Sequence, residues 1–269
     1  MAENKPVSLK FARLYPEDVA LLSPGKWLND SCIGFFFELV TSELSKEEAA
    51  ASKGPFGTGE ARDEAGCPSG GRDGAVLFMD PATSFWILTE DAESLEDVED
   101  TFESLEIDQK HLILVAVNDN TDRLQTAGGT HWACLAWWRH PSSNRFVCFD
   151  SMAGGNERMA RQMADRLHKV DVACRKNGQK QERKAKETQT EFRFEKGQCG
   201  QQDNCTDCGV FACMAAENLA RTFLSLSSVS STAASVATPA ELRPSHAATF
   251  RQEFLSKVES IGHQQRRIA

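Results

Sequence analysis

Gln202-Asp203-Asn204-Cys205-Thr206-Asp207-Cys208-Gly209-Val210-Phe211 is a polar loop that turns abruptly apolar at its end. From Gly209 onward, Val210, Phe211, Met214, Ala215, Leu219 and Leu224 recur at helical spacing, while polar Glu217 and Asn218 fall elsewhere. That pattern predicts a helix opening at Cys208. The unpaired backbone N–H groups and the positive dipole end of such a helix favour a thiolate, the reactive form of cysteine, and can also hold an oxyanion. Gln202, upstream, carries a neutral amide donor of the kind that completes an oxyanion hole.

A thiolate needs a base and an oriented carboxylate beside it, and His131 and Asp150 can supply them. Residues 132–138 read as one strand and 145–149 as another, with turn chemistry in His140-Pro141-Ser142-Ser143-Asn144 between them. In a hairpin, His131 at the entrance of the first strand and Asp150 at the exit of the second lie nearly opposite. The chain order is then His, Asp, Cys. Each residue also has a plainer reading: Cys208 as a small core residue, His131 as a satisfied histidine, Asp150 as a strand end, Gln202 as a solvated amide. Cys205-x-x-Cys208 could also be half of a zinc site or a redox pair. A zinc site wants a second ligand pair, and His111, His131, His140 and His168 show no such pairing.

His131-Trp132, then Phe149-Asp150-Ser151, then Gln202 ahead of Asp207-Cys208-Gly209, is a pattern that resembles the Ulp/sentrin-specific cysteine proteases, which process ubiquitin-like modifiers. Trp27-Leu28-Asn29-Asp30 is similar to the family motif that helps clamp the modifier's tail. Val117-Asn118-Asp119-Asn120, followed by Ala127-Gly128-Gly129-Thr130-His131-Trp132, resembles the deneddylase branch, specific for the NEDD/Rub modifier. Glu17-Asp18-Val19-Ala20-Leu21-Leu22 is similar to that branch too. The resemblance spans most of positions 7–50, 76–172 and 196–222.

The resemblance implies an α+β, papain-like Ulp-type fold in which a mixed central sheet with a catalytic hairpin packs against helices. It implies a thiol protease and isopeptidase cleaving after the C-terminal Gly-Gly of a modifier, with no metal or organic cofactor. Cys208 would be the nucleophile, His131 the base, Asp150 its orienting partner, and Gln202 with the Cys208 N–H the oxyanion hole. Trp27, Asn29, Asp30, Asn118, Asp119 and Trp132 would bind the substrate. Only glycine lacks a side chain that would block a narrow channel roofed by Trp27 and Trp132, and Asp30 would meet a basic or polar group on the tail. The alternatives are a SUMO- or ubiquitin-directed protease of the same family, a modifier-binding module without activity, and a Cys-x-x-Cys redox or zinc protein.

Composition is that expected of a soluble intracellular domain. The chain of 269 residues is long enough for one sizeable core, so residues 1–269 are expected to form a single domain. Flexible insertions are expected at about 51–75, rich in Gly, and 225–245, rich in Ser and Ala. The net charge of −9 argues against nucleic acid as a partner. No long apolar run or N-terminal apolar leader is visible, so membrane spanning and secretion are not expected. Nine cysteines, an odd number, suit reduced thiols and a cytoplasmic or nuclear setting, with the chain monomeric.

Along the chain, a helix is expected after Asn29 or Asp30, with Ile33, Phe36, Phe37, Val40 and Leu44 on one face. An acidic helix carries Leu95, Val98, Phe102 and Leu105. His111 to Val117 reads as the central strand, residues 118–130 as a mobile loop leading into His131, 157–170 as a helix, and 175–186 as a solvated basic run. Residues 192–194 read as a last strand and 247–261 as a closing helix.

Overall fold

The computed structural model of the chain describes residues 5–52, 74–90, 95–125, 128–179, 190–225 and 239–268. The N-terminal part is a short hairpin of β1 (Val7–Ser8) and β2 (Arg13–Leu14), followed by helices α1 (Pro16–Ala20) and α2 (Asp30–Ser52). Strand β3 (Val76–Met79) leads into helices α3 (Pro81–Thr89) and α4 (Leu95–Ser104). Strands β4 (Leu112–Asn118), β5 (Trp132–His140) and β6 (Ser143–Phe149) come next, then helix α5 (Glu157–Gln179) and strand β7 (Glu191–Lys196). Helices α6 (Cys208–Ser225) and α7 (Pro244–Ile268) close the chain.

The sheet runs β3-β4-β5-β6-β7. It is mixed: β3 on β4 and β6 on β7 are parallel, while β4–β5 and β5–β6 are antiparallel. β4 and the first part of β5 carry continuous apolar runs because both faces are covered there, while the edge strand β7 alternates and is largely exposed. In β4, Leu112, Leu114 and Ala116 join a core with Ile33 and Phe36 of α2, Phe211 of α6 and Phe254 of α7. The alternate residues Ile113, Val115 and Val117 join a second core with Met159, Met163 and Leu167 of α5 and Val98 and Phe102 of α4. The expected architecture, a mixed sheet packed against helices with the hairpin beside the helix that opens at Cys208, is the one observed.

Several local readings change. The apolar run Leu112 to Val117 is buried within β4, with His111 exposed just ahead of it, yet β4 lies second in the sheet and β5 takes the centre, because an apolar run reports covered faces and says nothing of strand order. Helix α3 has no counterpart in the reading of the sequence. Asp80 caps it, its Oδ1 accepting from Ala82 N at 2.9 Å and Thr83 N at 3.2 Å, with Pro81 in the first turn. The 51–75 and 225–245 stretches are also narrower than expected: 51–52 end α2, 239–241 form a 3₁₀ turn and α7 starts at Pro244. The rest of those stretches, 53–73 and 226–238, lies outside the described residues, as do 180–186 of the basic run, whose first residues continue α5.

Candidate active site

The hairpin is tighter than its turn composition suggested. His140 pairs with Ser143, so Pro141-Ser142 alone make the turn, and the register runs to Cys134 opposite Phe149. Past that last pair the strands deliver His131 and Asp150 together: His131 Nε2 lies 2.7 Å from Asp150 Oδ1, both side chains buried. The carboxylate is held from three sides. Its Oδ1 also accepts from Met152 N at 2.8 Å and its Oδ2 from Asn156 N at 2.8 Å. Burial opposes the charge on Asp150, but these bonds outweigh it and hold the carboxyl below its usual range.

The other imidazole nitrogen, Nδ1, is buried and makes no hydrogen bond. Cys208, at the N-terminus of α6, is the group beside it. Burial lowers the imidazole pKa, but the bond to Asp150 and the neighbouring Cys208 reverse this and push His131 up to about 9. One ring nitrogen thus meets a carboxylate while the other, without an acceptor, faces the sulfur. Gly209 lets the walls close in here: a Cβ on it would sit 3.1 Å from Leu28 Cβ and 3.5 Å from Trp132 Cδ1.

Gln202 is anchored between Ser151, the residue after Asp150, and Asn204 of the loop ahead of Cys208. Its Oε1 accepts from Ser151 Oγ at 2.7 Å, its backbone N donates to Ser151 O at 3.1 Å, and its Nε2 donates to Asn204 O. An amide nitrogen carries two hydrogens, so one donor is left over. Asn204 continues the link, its Oδ1 accepting from Thr206 N at 2.9 Å and Asp207 N at 3.0 Å. Cys205 is exposed, and both it and Cys208 are free thiols.

A cavity of about 420 Å³ opens from Cys208. Trp27, Asn29, Asp30, Asn118 and Trp132 line it, so the fold gathers these residues from three distant parts of the chain. Both indole N–H groups are spent on backbone, Trp27 on Cys205 O at 2.6 Å and Trp132 on Leu28 O at 3.1 Å, which leaves ring faces toward the cavity. Asn29 reaches the wall with its polar ends committed, Nδ2 to Asp18 Oδ1 at 2.7 Å and Oδ1 to Cys32 N at 2.9 Å. Asp30 is exposed at the start of α2, near Ser31 N.

Asp119, expected among the substrate-binding residues, does not line the cavity. Its carboxylate turns inward and accepts from Thr130 N at 2.6 Å, Thr130 Oγ1 at 2.7 Å and His131 N at 3.0 Å, so its place is that of a brace on the histidine. The loop that leads into His131 makes local hydrogen bonds among its described residues. Asn118, Asn120 and Asp122 each accept from the backbone N–H two residues on, and Arg123 donates to Thr89 O of α3. These successive Asx turns build the loop from its own side chains. Gly129 is required there, with φ +86° and no room for a Cβ beside Asn118.

Three contributions escaped the sequence reading. Pro81, Ala82, Phe85 and Leu88 of α3 form a wall of the cavity. Asn156, wholly buried, spans the site: beyond its bond to Asp150, its Nδ2 donates to Val117 O at 2.7 Å and His131 O at 3.3 Å. Gly154-Gly155-Asn156-Glu157 was readable as a helix start, but not as a tie to the histidine. The third is Arg251, described below. No helix among the described residues is long and apolar enough to cross a membrane.

A model of the Ulp1 protease family, C-terminal catalytic domain, matches residues 85–265, more than half of the chain. Human sentrin-specific protease 8 is 27% identical over 220 residues, covering 81% of this chain and 83% of that protein. The rat protein of the same name is 30% identical over 164 residues, 60% of this chain and 62% of its own length. NEDD8-specific protease 1 of Arabidopsis thaliana is 26% identical over 209 residues, 78% of this chain and 72% of that protein. Among solved structures, the Ulp1 protease domain in complex with Smt3, the yeast ortholog of SUMO, superposes with TM-score 0.60 at 16% identity, over 97% of this chain and 89% of that one. A de-sumoylating protease gives TM-score 0.63 at 13% identity, over 97% and 92%. At such identities the structural likeness concerns the fold alone.

Proposed function

The chain belongs to the Ulp1 protease family, a family of cysteine proteases, and from that premise we propose that it cleaves after the C-terminal Gly-Gly of a ubiquitin-like modifier, with NEDD/Rub as the preferred modifier. In this reading residues 1–269 form one protease domain, and the reaction needs only its own side chains. One observation carries the site assignment: His131 is bonded through Nε2 to Asp150 at 2.7 Å while its buried Nδ1 is left without a partner beside Cys208.

The tail of the modifier lies in the cavity between Trp27 and Trp132, where ring faces admit glycine and exclude water. Cys208 Sγ, passing its proton to His131 Nδ1, attacks the carbonyl carbon of the terminal glycine. The oxyanion is met by the Cys208 backbone N–H and by the remaining Nε2 hydrogen of Gln202. His131 then returns the proton to the departing amine, a thioester remains on Cys208, and water activated by the same imidazole releases the modifier. Asp150 keeps Nε2 protonated throughout, so that only Nδ1 exchanges protons.

The preference for NEDD/Rub is supported by the sequence around Asn118 to Trp132 and by the similarity to a NEDD8-specific protease. A SUMO-directed protease is the second reading, since the same fold is found in a Ulp1 domain in complex with Smt3 and in a de-sumoylating protease and does not by itself choose between modifiers. NEDD8, SUMO and ubiquitin carrying the same C-terminal electrophile separate the two. The NEDD8 probe is expected to label Cys208 fastest; faster labelling by SUMO would replace the proposed substrate, and adducts on Cys205 would unseat the nucleophile.

Asp119 gives a further expectation. Asp119→Ala strips three bonds from the Thr130-His131 turn, and kcat/KM for the reactive modifier should fall about tenfold, with faster amide hydrogen exchange at Thr130 and His131. Unchanged exchange at those two amides would show that the brace is dispensable.

A further inference from the structure

Arg251 lies in α7, 3% exposed, far from the hairpin in sequence. Its guanidinium holds two separate stretches of chain. On one side Nη1 donates to Leu21 O at 3.0 Å and Ser23 O at 3.3 Å, and Nη2 to Lys26 O at 2.6 Å. On the other, Nε and Nη2 donate to Asp207 Oδ1 at 3.0 and 2.7 Å, and Nη2 reaches Thr206 O at 3.3 Å. Lys26 immediately precedes Trp27, and Asp207 immediately precedes Cys208. A single cation thus fixes the residue before the cavity wall against the residue before the nucleophile.

The same two stretches are joined once more, through Trp27 Nε1 on Cys205 O at 2.6 Å. Trp27 itself is 48% exposed and has little packing to hold it, so its place depends on these anchors. From Asp207 the bonding continues through Asn204, whose Nδ2 donates to Asp207 Oδ2 at 2.9 Å, to Gln202 on Asn204 O. Burying a guanidinium is costly unless its donors are met, and here a carboxylate and four carbonyl groups meet them. Lysine, a point charge with three donors and no fork, could pair with Asp207 but could not span both stretches.

We propose that Arg251 is a positioning residue that sets the width of the cleft between Trp27 and Cys208, and with it the register in which a modifier tail passes the nucleophile. It touches no substrate. The inference rests on the proposed cleavage after Gly-Gly, and it predicts a particular division of effects. The thiol and its imidazole are held by α6 and the hairpin, so Cys208 keeps its reactivity when Arg251 changes. The tail loses its fitted channel, so productive binding suffers.

The test uses Arg251→Lys and the double variant Arg251→Met with Asp207→Asn, which removes the buried pair together. Each is assayed on NEDD8 and SUMO carrying a C-terminal fluorogenic amide, and for the pH profile of Cys208 alkylation by iodoacetamide. Expected for Arg251→Lys is a KM raised about tenfold or more, kcat within about threefold, and an unaltered alkylation profile. The double variant is expected to show the same KM with a folded melting curve, and it carries the test if the lysine variant does not fold. Unchanged KM in a folded variant overturns the proposal, as does an alkylation profile that moves with KM, since Arg251 would then act through the thiol. A parent chain that turns over neither modifier sinks the Gly-Gly reading itself; a parent that turns one over, with both variants unaffected, sinks only the role of Arg251.

Discussion

Cys208→Ala is expected to reduce hydrolysis of a Gly-Gly-ended modifier amide by at least about 10⁴-fold while leaving modifier binding within about threefold. The asymmetry follows from what the sulfur does. In the proposed reaction it makes the covalent bond to the carbonyl carbon, and no other described group at the site is placed to replace it: His131 is tied to Asp150, and Cys205 is exposed in the loop ahead of the helix. The cavity walls contributed by Trp27, Trp132 and α3 do not depend on the thiol. Removing one buried sulfur atom leaves a void smaller than a methylene-scale core deletion, costing roughly 1 kcal/mol or less. Cys208→Ser should be as inactive, because a hydroxyl does not ionise beside an imidazolium. Turnover of the fluorogenic modifier and fluorescence anisotropy of a labelled one check the two halves separately. Activity within about tenfold of the parent would remove Cys208 from its role, and loss of binding in parallel with activity would show that the site had collapsed.

The parts of this site that can be read from the sequence are those in which chemistry and local pattern coincide. The apolar stripe of α6 begins directly after Cys208, so the helix start and the thiol announce each other. His131 and Asp150 are brought together by a single hairpin, and a hairpin is a short-range object. Helix α3 was missed for a physical reason: Phe85-Trp86-Ile87-Leu88 is apolar all round, faces both sheet and cavity, and shows no helical period. The direction of a polar side chain is also invisible. The sequence places Asp119 with the substrate-binding residues, but the nearest unpaired N–H groups belong to its own chain, and those claim it. Arg251 left a signal that was not used. Ala247, Arg251, Phe254 and Val258 fall on one face of α7, and all four are buried, so an arginine in an apolar stripe called for a buried partner. That partner, Asp207, immediately precedes Cys208.

Asp150→Asn is expected to lower kcat by about 10³-fold and to move the alkaline limb of the pH–rate profile downward. The carboxylate offers Oδ1 to His131 Nε2 and Met152 N, and Oδ2 to Asn156 N. An amide has a single oxygen and cannot serve both sides. With its oxygen toward Asn156, its NH₂ faces Nε2 and forces the imidazole proton onto Nδ1, where the thiol proton has to go. With its oxygen toward His131, its NH₂ collides with the Asn156 N–H, at a cost of about 1–3 kcal/mol for the unmet donor. Either way the charge that stabilises the imidazolium is gone. In the parent the His131 pKa is raised from 6.5 to about 9, so its contribution to stability is complete below 6.5 and is lost as pH rises through about 9. Asp150 is shifted the other way: its contribution is present above the ordinary value of 3.8 and is lost as pH falls through its lower, folded value. The parent should therefore lose stability between neutral pH and pH 10 by a step that Asp150→Asn lacks, visible in melting temperatures measured across that range. The alkaline limb of activity, set by the imidazolium proton needed for the leaving amine, should retreat from about 9 toward 6.5 in the variant. A limb that stays in place while the rate falls would mean that Asp150 only holds the turn at Met152 and Asn156; the charge would then have no part in the chemistry.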